Sequence, residues 1–159
     1  MDLRSILKKH LKWLRDEEGG ERANLYGADL RGADLCDANL CGADLDGAEN
    51  VYYPINCPEN GAFIGWKKAR ENKIVELEIT ADAKRNSATT RKCRCSKARV
   101  LSITNPDGSA ANEAVSTYDC SFIYRVGETV EVKDFDADRW NECSAGIHFF
   151  ITREEAARY

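Results

Sequence analysis

The basic residues between positions 84 and 99 are the side chains in this sequence best suited to bind a ligand. The segment holds seven basic residues and no acidic ones, although the whole chain has a net charge of −4. The seven are Lys84, Arg85, Arg91, Lys92, Arg94, Lys97 and Arg99. Arginine forks bind phosphate oxygens in pairs, so we expect Arg85, Arg91 and Arg94 to contact a small phosphorylated ligand. The alternative is a solvated basic loop that pairs with the acidic stretch 128–142.

A strand followed by a capped helix near the end of the sequence supplies a second candidate site. The letters G-I-H-F-F at 146–150, a capping box and Tyr159 resemble the strand–helix unit of the ADP-ribosyltransferase fold, with His148 where that family often has tyrosine. The resemblance implies a nicotinamide pocket lined by this strand and Tyr159, with the basic segment at the pyrophosphate. His148 or Trp140 would lie beside the base. The alternative is a strand that packs its aromatic residues against the helix.

Seven cysteines raise the question of a metal site or of disulfides. The odd count and the lack of an export signal favour reduced thiols. The candidate metal ligands are Cys57, Cys93, Cys95, Cys120, Cys143 and His148. Structural zinc sites usually present paired C-x(2–4)-C ligands, whereas this sequence offers a C-x-C pair and a cysteine five residues before a histidine. In a strand Cys93 and Cys95 share a face, so we predict buried thiols, no metal ion and no cofactor.

Residues 23–50 repeat with a period of five. They run ANLYG, ADLRG, ADLCD, ANLCG and ADLDG before the pattern decays at AENVY. The segment resembles the pentapeptide-repeat family, which implies a right-handed quadrilateral β-helix with alanine and leucine inside and Asn24, Asp29 and their equivalents at the corners. Cys36 and Cys41 are explained as coil positions.

The coil is too short to imitate duplex DNA, as some longer members of that family do. At about twenty residues a coil it completes fewer than two, and layers roughly 4.8 Å apart give a rod on the order of 10 Å long. Its acidic face is therefore expected to be solvated. We predict no duplex DNA partner, because the basic segment is short and the sequence contains no groove-reading motif.

The first sixteen residues predict an amphipathic helix over 2–16. Apolar residues at helical spacing form one stripe that needs a partner. The stripe consists of Leu3, Ile6, Leu7, Leu11 and Leu14. We expect it to cap the coil, since an uncapped end exposes apolar side chains and strand edges; a helix pair across a homodimer is the alternative. His10 has no second ligand at a helical offset, so we predict no catalytic or metal role for it, and Gly19-Gly20 ends the helix.

Past Val51 the five-residue period is lost, and aromatic and proline residues over 52–58 mark a junction. Six later runs alternate in polarity or are rich in β-branched and aromatic residues, which is typical of strands. The runs are 62–69, 73–79, 98–104, 121–126, 129–132 and 146–151. Turns are predicted at 70–72 and at 105–108, and a capping box at Thr152 begins a final helix.

Residues 55–159 resemble an uncharacterised domain found behind short pentapeptide repeats in proteins of bacteria and their phages. We therefore predict a mainly β protein. A short right-handed quadrilateral β-helix, capped by an N-terminal α-helix, precedes a small β-rich α+β domain that ends in a helix. The predicted units are a capping helix (1–20), the repeat coil (21–53) and the C-terminal domain (54–159).

The sequence favours a binding protein over an enzyme. No apolar run approaches the ~20 residues that span a bilayer, and no signal peptide is present, so we expect no membrane partner and a cytoplasmic location in a bacterial host. We predict a non-enzymatic, phage-encoded binding or assembly module that holds a small phosphorylated ligand, such as a nucleotide messenger. A protein partner or a second copy would bind the helix or the coil. The alternatives are an atypical ADP-ribosyltransferase-like enzyme using NAD, and a structural phage protein without a ligand.

Overall fold

The structure is a computed structural model, and it is mainly β with a helix near each end. It describes residues 1–35, 38–40, 42–51, 55–88, 90–141 and 143–159. The predicted fold class is confirmed at this level. Within the described part of the chain, no helix has both the length and the apolar character that crossing a bilayer requires.

Helix α1 spans Leu3–Leu14, within the predicted range. Asp2 caps it, because the Asp2 side chain accepts a hydrogen bond from the Ser5 amide at 3.2 Å. After the helix the chain turns back across the last helical turn. Gly20 permits this close approach, since a Cβ at that position would lie 2.4 Å from the backbone nitrogen of Trp13.

The helix packs on the repeat with part of the predicted stripe. Leu3, Ile6 and Leu7 contact the apolar cluster of the repeat, as predicted, but Leu11 is 42% exposed, so its place in the stripe is wrong. His10 is buried instead, and its Nδ1 accepts a hydrogen bond from the Ala23 amide at 3.1 Å. The reason is geometric: position 10 lies about 20° around the helix from position 3, and position 11 about 80°.

The repeat stacks residues that are twenty positions apart. Parallel bridges pair Asn24 with Asp44 and Asp29 with Glu49. The third residue of each five-residue unit is buried, namely Leu25, Leu30, Leu35, Leu40 and Leu45. Single bridges take the place of continuous strands, and the described residues form no closed solenoid. The predicted coil positions Cys36 and Cys41 lie outside the described residues.

The C-terminal domain is built from short antiparallel strands. They are β1 (Phe63–Lys68), β2 (Ile74–Ile79), β3 (Arg85–Ser87), β4 (Cys93–Cys95), β5 (Lys97–Thr104), β6 (Glu113–Val115), β7 (Ile123–Arg125), β8 (Thr129–Glu131) and β9 (Ile147–Phe149). One sheet has the order β1-β2-β5-β8, a second has the order β3-β4-β9, and β6 pairs with β7. All six predicted strands are present, and β3, β4 and β6 are additional.

The predicted turns and the final helix are confirmed. A 3₁₀ turn at Arg70–Asn72 joins β1 to β2. In the second turn the Gly108 amide donates to the Asn105 carbonyl at 3.0 Å. Helix α2 (Arg153–Arg158) begins with a capping box, in which the Thr152 hydroxyl accepts from the Glu155 amide and the Glu155 carboxylate accepts from the Thr152 amide.

Strand β1 also connects the first sheet to the second. Trp66 and Phe150 exchange two backbone hydrogen bonds of 2.8 Å. Gly65 allows this approach, because a Cβ there would lie 2.6 Å from the ring of Phe149. The inner face of β1 therefore packs closely on β9. Lys67 lies on the same face as Gly65, because alternate residues of a strand point to the same side.

The segment before β9 holds the domain against the coil. Trp140 packs on the apolar cluster of the repeat. The Arg139 guanidinium lies 4.9 Å from the centroid of the Trp140 ring and donates to the Ser87 carbonyl at 2.9 Å. The coil and the domain are therefore in direct contact through this segment. The predicted junction at 52–54 lies outside the described residues, and the predicted domain boundaries stay predictions.

Candidate functional site

Two adjoining cavities open beside β1 and β9, with volumes of about 440 and 430 Å³. They share four lining residues, so we treat them as one site and name it the Lys67 cleft. The shared residues are Lys67, Tyr118, His148 and Tyr159. The larger cavity is also lined by Lys92, Phe122, Tyr124, Asp134 and Cys143, and the smaller one by Lys68, Arg70 and Phe150. Each cavity lies in the size range of small-molecule pockets.

Lys67 forms the floor of the cleft. Its side chain is 6% exposed, and its ammonium donates to the His148 carbonyl at 3.3 Å. Among the described residues no carboxylate pairs with it. The pKa of Lys67 is lowered to about 8, mainly by burial and also by the charge of nearby Lys92, against a raising effect of Cys95. A buried cation with one carbonyl partner is costly to the fold, and an anion in the cleft would offset that cost.

Two tyrosines form one wall. The hydroxyls of Tyr118 and Tyr159 are 3.1 Å apart, and this hydrogen bond raises the pKa of Tyr118. The Tyr159 ring lies against Phe150 and has the Lys92 ammonium 5.7 Å from its centroid. The wall therefore combines flat aromatic surface with phenol donors, which suits a planar ligand that carries polar groups.

His148 is placed by strand pairing. It lies on β9 opposite Arg94 of β4, while β1 contributes Lys67 from the other side. His148 is half-buried. The site residues predicted from the end of the sequence, His148 and Tyr159, are thus brought into the same cleft.

Arg85 and Arg94 of the basic segment bind backbone carbonyls. Arg85 donates to the carbonyls of Gly61 and Thr80 at 2.7 Å. Arg94 is 2% exposed and donates to the carbonyls of Asp138 and Ala145 at 2.8 and 3.0 Å. Neither arginine lines the cleft. A role for either in ligand binding stays a prediction.

Arg91 and Trp140 also lie apart from the cleft lining. The Nε of Arg91 contacts a Glu155 carboxylate oxygen at 2.6 Å, and this contact raises the pKa of Arg91 and lowers that of Glu155. Trp140 lies at the coil. Lys97 pairs with Asp82, so these two ion pairs of the basic segment use carboxylates outside 128–142.

The cysteines of the C-x-C pair are enclosed. Cys93 and Cys95 are both 0% exposed, which confirms that they are buried. Burial raises the pKa of Cys95 to about 12, and a hydrogen bond between the thiols of Cys57 and Cys93 raises the pKa of Cys93. No cluster of metal-ligating side chains occurs among the residues that the structure describes. The predicted absence of a metal ion stays a prediction.

Lys67 and Tyr118 were not among the residues that the sequence singled out. For Lys67 a signal exists, because Phe63, Gly65 and Lys67 alternate on one face of a predicted strand and that face is apolar. A lysine on the core-facing side of a strand is unusual, since lysines are rarely fully buried. Tyr118 lies in a loop after β6 and has no comparable periodicity.

Comparison with known proteins gives a family without an assigned activity. Residues 53–156 match DUF5758, a family of unknown function, and residues 21–49 match pentapeptide repeats. The predicted order of a repeat followed by an uncharacterised domain is thus confirmed. An uncharacterized protein of Acanthamoeba polyphaga mimivirus is 38% identical over 97 residues, which cover 54% of this chain and 61% of that relative. The chain therefore spans about three fifths of the relative's length. No solved structure matches.

Proposed function

The chain belongs to DUF5758, a family of unknown function. From the residues of its C-terminal domain we propose that the Lys67 cleft binds a small phosphorylated molecule. The observation that carries the proposal is the buried Lys67 ammonium, which has one carbonyl acceptor and no carboxylate partner among the residues that the structure describes. Such a charge is stabilised when an anion occupies the space in front of it. The protein is then a binding module, as the sequence indicates.

The cleft supports the phosphate and the organic part of the ligand with different residues. Lys67 and Lys92 give the larger cavity two cations, and Asp119 and Asp134 also line it. Tyr118 and Tyr159 supply hydroxyl donors beside the cations. Flat surface for a base or ring comes from Tyr159 and Phe150. Arg91 precedes Lys92 in the chain and is half exposed, so it becomes an outer contact if it exchanges Glu155 for a phosphate oxygen.

Calorimetry with inorganic phosphate, AMP, ATP and NAD tests the proposal. At least one of these should bind the parent protein. Replacing the ammonium in Lys67→Gln should weaken that binding by about tenfold or more, since a buried charge-assisted hydrogen bond contributes ~1.5–3 kcal/mol. The matched control is Lys84→Gln, which removes the same charge from an exposed position of the basic segment. If none of the four compounds binds, or if both variants bind like the parent, the proposal is wrong.

A second candidate function is transfer chemistry on NAD. It is favoured by one observation, that His148 and Tyr159 line one cleft, as the resemblance to ADP-ribosyltransferases implies. Release of nicotinamide from NAD, measured by chromatography, would support this candidate. Binding of NAD without nicotinamide release would leave the protein as a binding module.

The repeat is assigned a supporting role. Bridges between residues twenty positions apart support a right-handed quadrilateral β-helix, and the packing of Leu3 and Leu7 supports capping by α1. Assembly with a partner or a second copy would use the exposed side of α1, where Leu11 and Trp13 are both 42% exposed. A viral relative is compatible with a phage-encoded protein acting in a host cytoplasm, which stays part of the proposal.

A further inference from the structure

We infer that Lys67 binds its ligand covalently, as an imine with an aldehyde or ketone group, so that the ligand is a phosphorylated carbonyl compound. This inference rests on the proposed function, because the cleft must first hold the phosphate. In the imine complex the phosphate lies at Lys92 and the tyrosine hydroxyls, and the Lys67 nitrogen faces the carbonyl group. The amine lone pair of Lys67 attacks the carbonyl carbon, a C–N bond forms, and the carbonyl oxygen takes up a proton. The nitrogen then loses a proton and the hydroxyl takes up a second proton. The C–O bond breaks as the nitrogen lone pair forms the C=N bond, so one water molecule leaves and a protonated imine remains. Nothing is oxidised or reduced.

Lys67 differs from an ordinary lysine in three respects that this reaction needs. Its amine is enclosed, with 6% of the residue exposed, so competing water is limited. It opens onto both cavities of the cleft. Its hydrogen bond to the His148 carbonyl uses one proton of the ammonium and orients the nitrogen without neutralising it.

The protonation state also favours attack. Burial lowers the pKa of Lys67 to about 8, so at pH 7.5 about a quarter of the molecules carry the neutral amine, against about one in a thousand for a lysine with a pKa of 10.5. Only the neutral amine has a free lone pair. Desolvation beside a second cation is a known way of activating a lysine nucleophile, and Lys92 is that second cation here.

The tyrosine pair can supply and accept the protons. Tyr118 and Tyr159 line both cavities together with Lys67, and their hydroxyls share a hydrogen bond of 3.1 Å. Tyr159 can donate a proton to the developing alkoxide while the Tyr118 hydroxyl, whose pKa is raised by their hydrogen bond, stabilises the Tyr159 phenolate that remains. The same pair can return the proton to the departing hydroxyl as water leaves.

Pyridoxal 5′-phosphate is a suitable probe, because it carries one aldehyde and one phosphate. The full chain is mixed with one equivalent at pH 7.5, reduced with cyanoborohydride, and mapped by peptide mass spectrometry. We expect a single adduct on Lys67, at least tenfold less adduct for Lys67→Arg, and unchanged labelling for the exposed control Lys84→Arg. Pyridoxal without phosphate should label Lys67 at least tenfold less. Labelling spread over surface lysines, or centred on Lys92, would overturn the inference.

Two further measurements separate this inference from the proposed function. Calorimetry with inorganic phosphate and with pyridoxine 5′-phosphate, which lacks the aldehyde, reports binding without imine formation. If these compounds bind in a Lys67-dependent way and no adduct forms, only the imine is wrong. If neither binds and no adduct forms, both conclusions are wrong. Circular dichroism of Lys67→Arg checks that a loss of labelling does not come from unfolding.

Discussion

Replacing Lys67 by methionine should make the protein more stable while abolishing its ligand site. The lowering of the Lys67 pKa from 10.5 to about 8 corresponds to ~3 kcal/mol of destabilisation below pH 8. Methionine fills a similar volume without a charge. It removes one hydrogen bond to the His148 carbonyl, which costs about 1 kcal/mol. The net expectation at pH 7 is a gain of ~2 kcal/mol in the free energy of unfolding.

The pH dependence gives this prediction a distinctive signature. Between pH 8 and 10.5 the unfolded chain holds a proton on Lys67 that the folded chain has released, so the stability of the parent rises with pH across this window. Lys67→Met lacks this group. The advantage of the variant should therefore be full below pH 8 and lost at about pH 9.5. At about pH 10.5 the variant should be ~1 kcal/mol less stable than the parent, because only the lost hydrogen bond remains. Other groups that titrate in this range cancel in the difference between the two proteins.

Urea denaturation followed by tryptophan fluorescence measures the difference at pH 7, 8, 9 and 10. A gain of ~2 kcal/mol corresponds to a melting temperature higher by roughly 4–8 °C for a chain of this size. Lys84→Met, at an exposed position, should change stability by less than ~0.5 kcal/mol. If Lys67→Met is destabilised at pH 7, or if its advantage is the same at pH 7 and pH 10, the reasoning about a costly buried charge is refuted.

Four further predictions concern the rest of the molecule. His10→Phe keeps an aromatic ring but leaves a buried amide without its acceptor, so urea denaturation should show a loss of ~1–3 kcal/mol. Leu7→Asp should cost more than ~2 kcal/mol or cause aggregation, whereas Leu11→Asp should be tolerated, as judged by melting and light scattering. Arg94→Met removes a buried guanidinium that donates to the carbonyls of Asp138 and Ala145, and should cost at least ~2 kcal/mol by urea denaturation. Elemental analysis of protein purified without chelator should find well under one zinc per chain; a stoichiometric content would contradict this.

Sequence patterns were informative where the structure follows from local periodicity. The five-residue repeat, the amphipathic helix and the longer strands each extend over enough residues to show their period. Strands β3, β4 and β6 have three residues each. The equally short β7, β8 and β9 lie in longer runs that alternate or are rich in β-branched and aromatic residues, whereas β3 and β4 lie in the basic segment, and the pairing of these strands depends on distant partners. Predicting the site required the same long-range information, because the cleft combines β1, β9 and a loop after β6.

Individual polar residues were the hardest to place. Charge alone marked Arg85 and Arg94 as ligand contacts, but their guanidinium groups have carbonyl acceptors that lie between 5 and 51 residues away in sequence. His10 is the opposite case. The sequence predicted no catalytic or metal role for it, and in the structure it binds the backbone of the first repeat unit and so connects α1 to the repeat. Which polar side chain finds a buried acceptor depends on tertiary contacts that no local pattern carries.

The segment that joins Trp140 to Gly146 has a consequence for how this chain can be recombined. One end of it rests on the coil, and the other, from Cys143 onward, lines the Lys67 cleft. A chimera that keeps the domain but exchanges the coil would expose the Trp140 ring to water. The segment 140–146, which lines part of the cleft, would then lose its contact with the coil. The repeat therefore cannot be exchanged freely. A foreign coil joined to this domain has to provide an apolar surface on which Trp140 packs, so that the cleft keeps its shape.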